Sequence, residues 1–289
     1  MKKIFAAFGF LLFLLLNIPF VMAQTDSPLM GQSMNGSTGL YSIPSGRIGW
    51  EDNGNFGLDL GYRAVINNNE GIAHIPALTI SLLRWAEISA AFDFQPAINY
   101  DEENHKNDDL LLGFKVKLPS NINNPKNPAI ALGGNIQIIN ITNDGNFGYN
   151  AFQPYLAITY AGTFFNMNAE TTVVFGKTFY TGGPRNNSDI DFGMGFDLIL
   201  FPDVFRDTVH WIIDFSNFSY GDNSWPNHLV HRTGPAWYRG ILNSGFRIDL
   251  SSFPSLGKYK FLMDFVFNDL FDAGARSFTI GTVIGFSQG

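Results

Sequence analysis

Asp191 and Asp197 are separated on one parity by Gly193 and Gly195, within the run Asp-Ile-Asp-Phe-Gly-Met-Gly-Phe-Asp that ends at Asp197. Seven further acids, Asp59, Glu87, Asp93, Glu170, Asp214, Asp249 and Asp264, hold the same kind of position, alternating with apolar neighbours, as do four bases, Arg63, Lys115, Lys117 and Arg247. Side chains that alternate in this way project from one face of an extended chain. If those faces line one water-filled interior, nine acids against four bases set up an acidic field that favours cations or cationic solutes. If the interior is filled, the same charges pair across it and stabilise it. The spacing alone leaves both readings open.

Catalysis has little to build on. The chain contains no HExxH, no G-x-x-x-x-G-K-[ST], no G-x-S-x-G and no glycine fingerprint that follows a strand and opens a helix. A strand-borne hydrolase would place an imidazole beside a hydroxyl, as a His two residues before a Ser does. None of His74, His105, His210, His228 and His231 has that neighbour. Only His210 falls convincingly within an alternating segment, and a lone inward His is expected to be a hydrogen-bonded wall residue. His228 and His231, near Asp222 and Trp225, share the longest connecting segment, and their spacing announces neither a helix nor a turn that would form a metal site. Cysteine is absent, which removes disulfides, thiolate metal ligands, a thiol nucleophile and a cysteine-linked lipid. The expectation is a protein without catalytic residues, metal or cofactor.

The elements that carry these charges are strands. Phe56, Leu58, Leu60, Tyr62, Ala64 and Ile66 form an apolar face opposite Gly57, Asp59, Gly61 and Arg63. Leu78, Ile80 and Leu82 follow; after a tight turn at Arg84-Trp85 the chain returns through Ile88, Ala90, Phe92 and Phe94. Comparable faces begin near Leu110, Ile130, Phe152, Ala169, Ile190, Trp211, Leu242, Phe261 and Phe278. The pattern predicts an all-β fold: a single antiparallel up-and-down transmembrane β-barrel of about twelve strands, after a cleaved signal peptide.

Several features favour a membrane barrel over a soluble sandwich. Lys2 and Lys3 precede the apolar run 4–20, and Val21-Met22-Ala23 fits a cleavage point, as in a secretory signal peptide. Beyond that run no apolar stretch reaches spanning-helix length, although 29 of the residues are Phe and only 15% are charged. Connections at Arg84-Trp85, 162–166 and 202–207 are short, whereas those at 95–108, 181–188 and 217–238 are longer, the asymmetry of outer-membrane barrels. The segment 119–128 is long for a short-turn side, and Pro154 lacks the donor that an interior ladder uses. Trp85, Phe92, Phe94, Phe164, Phe165, Phe179, Tyr180, Phe201, Phe205, Trp211, Trp237 and Tyr238 gather near strand ends, as interface girdles do.

The division expected is a signal peptide (1–23), an irregular leader (24–54) that lies in the periplasm or tucks into the barrel mouth, and a barrel (55–289). Without Lys2 and Lys3 the count is 16 basic against 25 acidic residues, so no nucleic-acid footprint is present. The segment Thr38-Gly39-Leu40-Tyr41-Ser42-Ile43-Pro44-Ser45-Gly46-Arg47-Ile48-Gly49 and the strand out to Tyr62 resemble the opening segment of YjbH-type outer-membrane barrels, a resemblance that implies the outer membrane and no activity. The terminal segment 278–286 resembles the strand read by the barrel-assembly machinery, except that Ser287-Gln288-Gly289 follows Phe286. The partners expected are that machinery, outer-membrane lipid and a lipopolysaccharide-type surface. The function expected is a narrow channel or facilitator for small hydrophilic solutes; the alternative is a closed structural or surface-interaction barrel.

Overall fold

The computed structural model describes residues 31–51, 55–67, 71–94, 109–119, 128–138, 150–164, 167–181, 190–205, 207–217, 240–252, 259–271 and 276–288. The proposed signal peptide, residues 24–30, and most of the long connections, with His105, Asp222, Trp225, His228, His231, Trp237 and Tyr238, lie outside them.

The strands are β1 (Phe56–Asn67), β2 (Gly71–Leu82), β3 (Ala86–Asp93), β4 (Asp109–Lys117), β5 (Ala129–Ile138), β6 (Asn150–Phe164), β7 (Met167–Gly176), β8 (Phe179–Thr181), β9 (Asp191–Ile199), β10 (Val209–Ser216), β11 (Ile241–Asp249), β12 (Tyr259–Asn268) and β13 (Ser277–Gln288). Each pairs antiparallel with its neighbours, β1 pairs with β13, and β5 pairs with β6, so the sheet closes on itself. β7 and β8 both pair with β6 and form one interrupted stave, which makes a closed barrel of twelve staves.

Pro154 explains the interruption. Its carbonyl accepts the N–H of Lys177, so the edge of β6 that lacks a donor faces the break between β7 and β8, where no ladder bond is lost. Sequence reading marked Pro154 as a residue that an interior ladder does not accommodate; it is the fifth of the fifteen residues of β6 and sits where pairing on that side is interrupted. Two expectations are corrected. Residues 162–164 extend β6 rather than turn, and β2 begins at Gly71, seven residues before the segment at Leu78. The earlier half of β2 carries His74 and Pro76 outward among Ile72 and Leu78, which hides its alternation. The predicted turn at 202–207 contains a one-turn helix, α1 (Pro202–Phe205).

Outward faces are apolar and exposed: Leu60, Ile88, Phe114, Leu132, Phe246, Phe267 and Ile284 are each at least half exposed. Trp85, Phe179, Phe201 and Phe205 mark the ends of this belt. Such a surface is stable only in contact with hydrocarbon, and a closed sheet is the β structure that can cross it because it leaves no unpaired edge. The protein is therefore an outer-membrane β-barrel, with both ends of the sheet-forming chain on its short-turn side.

Candidate functional site: a lumen filled by the leader

Alternation sends one half of each strand inward, and many of those positions are small. Gly57, Gly61, Gly193, Gly195 and Gly285, with Ala73, Ala77, Ala91, Ala129, Ala131 and Ala157, hold back the wall. Residues 31–51 occupy the space they leave. All but one of these leader residues are buried, and the segment folds on itself through bridges between Gln32 and Thr38 and between Gly39 and Pro44. It lies deeper than the barrel mouth, filling the lumen from wall to wall.

The fit is specific. A Cβ on Gly193 would stand 2.6 Å from Ile43 Cγ2, and one on Gly195 would stand 2.7 Å from Leu40 Cδ1. Gly57 faces the Trp50 ring and Gly61 the Gln32 amide. Above this layer Met34 and Tyr41 join Val65, Ile75, Leu111, Ile212 and Val266 in an apolar cluster; on the other side Leu40 and Ile43 pack with Tyr155, Ala157 and Val174.

Polar wall residues grip the leader largely through its backbone. Glu87 on β3 accepts from the N–H of Thr38 at 2.7 Å and from its hydroxyl at 2.6 Å. Lys115, the register partner of Glu87 on β4, forms an ion pair with it at 3.2 Å and donates to the Thr38 carbonyl at 2.9 Å. Across the lumen Asp214 on β10 accepts from the N–H of Ser42 at 2.8 Å and from its hydroxyl at 2.7 Å, with Asn243 as a further donor. Arg63 donates to the carbonyls of Ser33 and Gln32, and the Tyr41 hydroxyl pairs with that of Thr279.

Ion pairs complete the seal at the short-turn end. Asp59 accepts from Trp50 Nε1 at 2.8 Å and pairs with Lys260 at 2.7 Å, whose ammonium stands 4.6 Å from the Trp50 ring centroid. Arg47 bridges Glu170 and Glu51, and Glu51 reaches Lys117 at 2.6 Å. In such buried pairs removal of one partner strands the other, at a cost of about 3–5 kcal/mol.

The remaining inward charges fall into separate groups. Arg247 pairs with Asp264 at 2.7 Å and with Asp197 at 3.0 Å, and Asp197 also meets His210 Nδ1 at 2.7 Å. Asp191 sits in a different group, with Gln153 and Thr178, so Asp191 and Asp197 share no common partner among these contacts. Asp93 lies opposite Asp109 in register, Gln137 donates to Asp109, and half-buried Asp249 caps the N–H of Ser251. His210 has its other nitrogen against the Asp207 carbonyl at 3.0 Å, leaving neither ring nitrogen open to act as a base. His74 is also strand-borne, on the outer face beside the Tyr62 hydroxyl at 2.5 Å.

Sequence reasoning missed Lys260, Asp109 and all the leader contacts. Lys260 was legible, since it shares the parity of Leu262 and Asp264 opposite Phe261 and Met263. Thr38, Ser42 and Trp50 carry no such signal, because their segment has no period.

A family model described as "Putative MetA-pathway of phenol degradation" matches residues 68–223, more than half of the 289-residue chain. The chain belongs to that family. The match begins beyond the leader and beyond the segment that resembles YjbH-type barrels. No curated protein matches this family member. Among solved structures it is similar to the Acinetobacter baumannii outer membrane protein Omp33, at 10% identity over 81% of this chain and 98% of that one, with TM-score 0.42. It is similar to LpxR from Salmonella typhimurium at 10% identity over 80% and 100%, TM-score 0.44. The Pseudomonas aeruginosa outer membrane protein OprD matches at 11% identity over 80% and 65%, TM-score 0.32. Likenesses at this level concern the fold alone.

Proposed function

We propose that the protein is a narrow passage for small hydrophilic solutes, closed at rest by its own leader. One observation carries this reading: the wall is built of small residues around a lumen that a separate, non-stave segment fills. A barrel meant only to be solid fills its interior with wall side chains, whereas here the filling is a part that can leave. The inner wall it would uncover carries Asp59, Glu87, Asp93, Glu170, Asp191, Asp197, Asp214, Asp249 and Asp264 with Arg63, Lys115, Lys117, Arg247 and Lys260, a surface suited to water and ions. The family description sets its members beside a degradation pathway, and moving solutes across the outer membrane is a step such a pathway requires.

The absence of cysteine gives a direct test. A Cβ on Gly193 lies 3.6 Å from Ile43 Cβ, within the roughly 3.5–4.5 Å a disulfide spans. In the chain carrying Ile43→Cys and Gly193→Cys the leader can leave the lumen only when the pair is reduced, so in a planar bilayer the brief single-channel openings of a passage that rests closed are expected on reduction and none are expected when oxidised. Equal conductance in both states would remove the leader as the gate. Silence in both states would favour the second reading, a permanently closed barrel, which the buried ion pairs around Arg47, Glu51 and Trp50 support.

A further inference from the structure

Two wall residues hold Thr38, beside Ser45 of the leader, which donates its own N–H and hydroxyl to the Thr38 carbonyl, and Glu87 also accepts the Gly49 N–H. Of Thr38 itself, Glu87 takes the N–H and the β-hydroxyl, Lys115 takes the carbonyl, and the two wall groups are themselves an ion pair across adjacent strands. Both are 1% exposed. Carboxylate on the amine side and ammonium on the carbonyl side is the arrangement that reads an α-amino acid unit with its direction. Asp214 repeats half of it on the opposite wall, holding the N–H and hydroxyl of Ser42. Two hydroxyl-bearing residues of one short segment, each held by a wall carboxylate through the same pair of groups, form a pattern that space-filling alone does not require.

We infer that Glu87 and Lys115 form a binding station for zwitterionic solutes, β-hydroxy α-amino acids or short peptides that begin with one, and that Thr38 occupies it as a built-in substitute ligand. This rests on the passage reading above. The leader offers neutral groups to both charges. A free amino acid offers an ammonium to Glu87 and a carboxylate to Lys115, so its bonds are charged on both sides and stronger than those of Thr38. Such a solute competes with the leader at its centre, which couples recognition to opening. A bare cation satisfies Glu87 and is repelled by Lys115, and a neutral polyol offers hydrogen bonds with no opposite charge for either group.

Swelling of liposomes that hold the full chain tests the station with L-threonine, the similarly sized neutral erythritol, and cationic L-threonine amide. L-threonine is expected to enter roughly tenfold faster than either, the ratio carried by one added charge-assisted hydrogen bond. Glu87→Gln also loosens the leader, so the readout is the ratio of the two rates: L-threonine entry relative to erythritol entry is expected to fall from roughly ten to about one. In the unmodified chain, L-threonine is expected to raise the frequency of single-channel openings saturably while erythritol does not, a readout independent of how the variant assembles. Equal entry of the three solutes through a conducting chain overturns the station and leaves the passage standing. If no solute enters and the reduced cysteine variant is silent, both fall.

Discussion

At Gly193 the side chain is missing because something else needs its place. The nearest heavy atom to an added Cβ is Ile43 Cγ2, so a side chain here must displace the leader or bend β9. Overpacking of this kind costs about 1–3 kcal/mol, and the leader, held outside the sheet ladder, is the softer partner. Gly193→Val is therefore expected to raise bilayer conductance while the barrel still shows heat-modifiable migration on a detergent gel. Adding Ile43→Ala, which returns the volume, is expected to restore the low conductance. Conductance that stays low in the single variant would show that the leader yields without moving. The glycine was legible in the sequence as a small inward residue that leaves room. Its occupant was not, because contact between a wall and an irregular segment leaves no spacing to read.

Strands were legible wherever the outward residues are apolar, as in β1, β9, β12 and β13, since lipid imposes the period. Where outward positions carry His74 or Pro76, half of β2 escaped notice. Inward charges followed from the same parity, but their pairing did not: Glu87 and Asp214 are satisfied by backbone groups of the leader, and a backbone N–H is the same in every sequence. The broken stave of β7 and β8 shows the converse, a single residue type shaping an element. Pro154 offers no donor to that side, and the neighbouring stave parts there. Pro154→Val supplies the donor, and one added ladder bond is worth about 1 kcal/mol. Hydrogen exchange in the peptide covering 167–181 is expected to slow by about fivefold, and unchanged exchange would assign the break to another cause.

Taken whole, the molecule is a barrel and its filling rather than a barrel with an appendage. Deleting residues 24–51 removes the partners of two kinds of wall. The polar wall, with Arg63, Glu170, Lys117 and Asp214, can exchange the leader for water, because an emptied lumen of this size admits it. The apolar layer of Val65, Ile75, Leu111, Ile212 and Val266 has no such substitute and is left against water when Met34 and Tyr41 go. Each such side chain stripped of its cover costs on the order of 1.5–3 kcal/mol when the exposure is complete, against a sheet whose ladder stays closed through β1 and β13. The deleted chain is therefore expected to form a barrel that conducts continuously and loses its folded gel mobility at a lower temperature than the full chain. A synthetic peptide of residues 31–51 is expected to reverse both changes, since the contacts it would remake are noncovalent. An unaltered conversion temperature would mean that the sheet alone sets the stability. A peptide that restores stability without stopping conduction would mean that the leader braces the lumen without closing it.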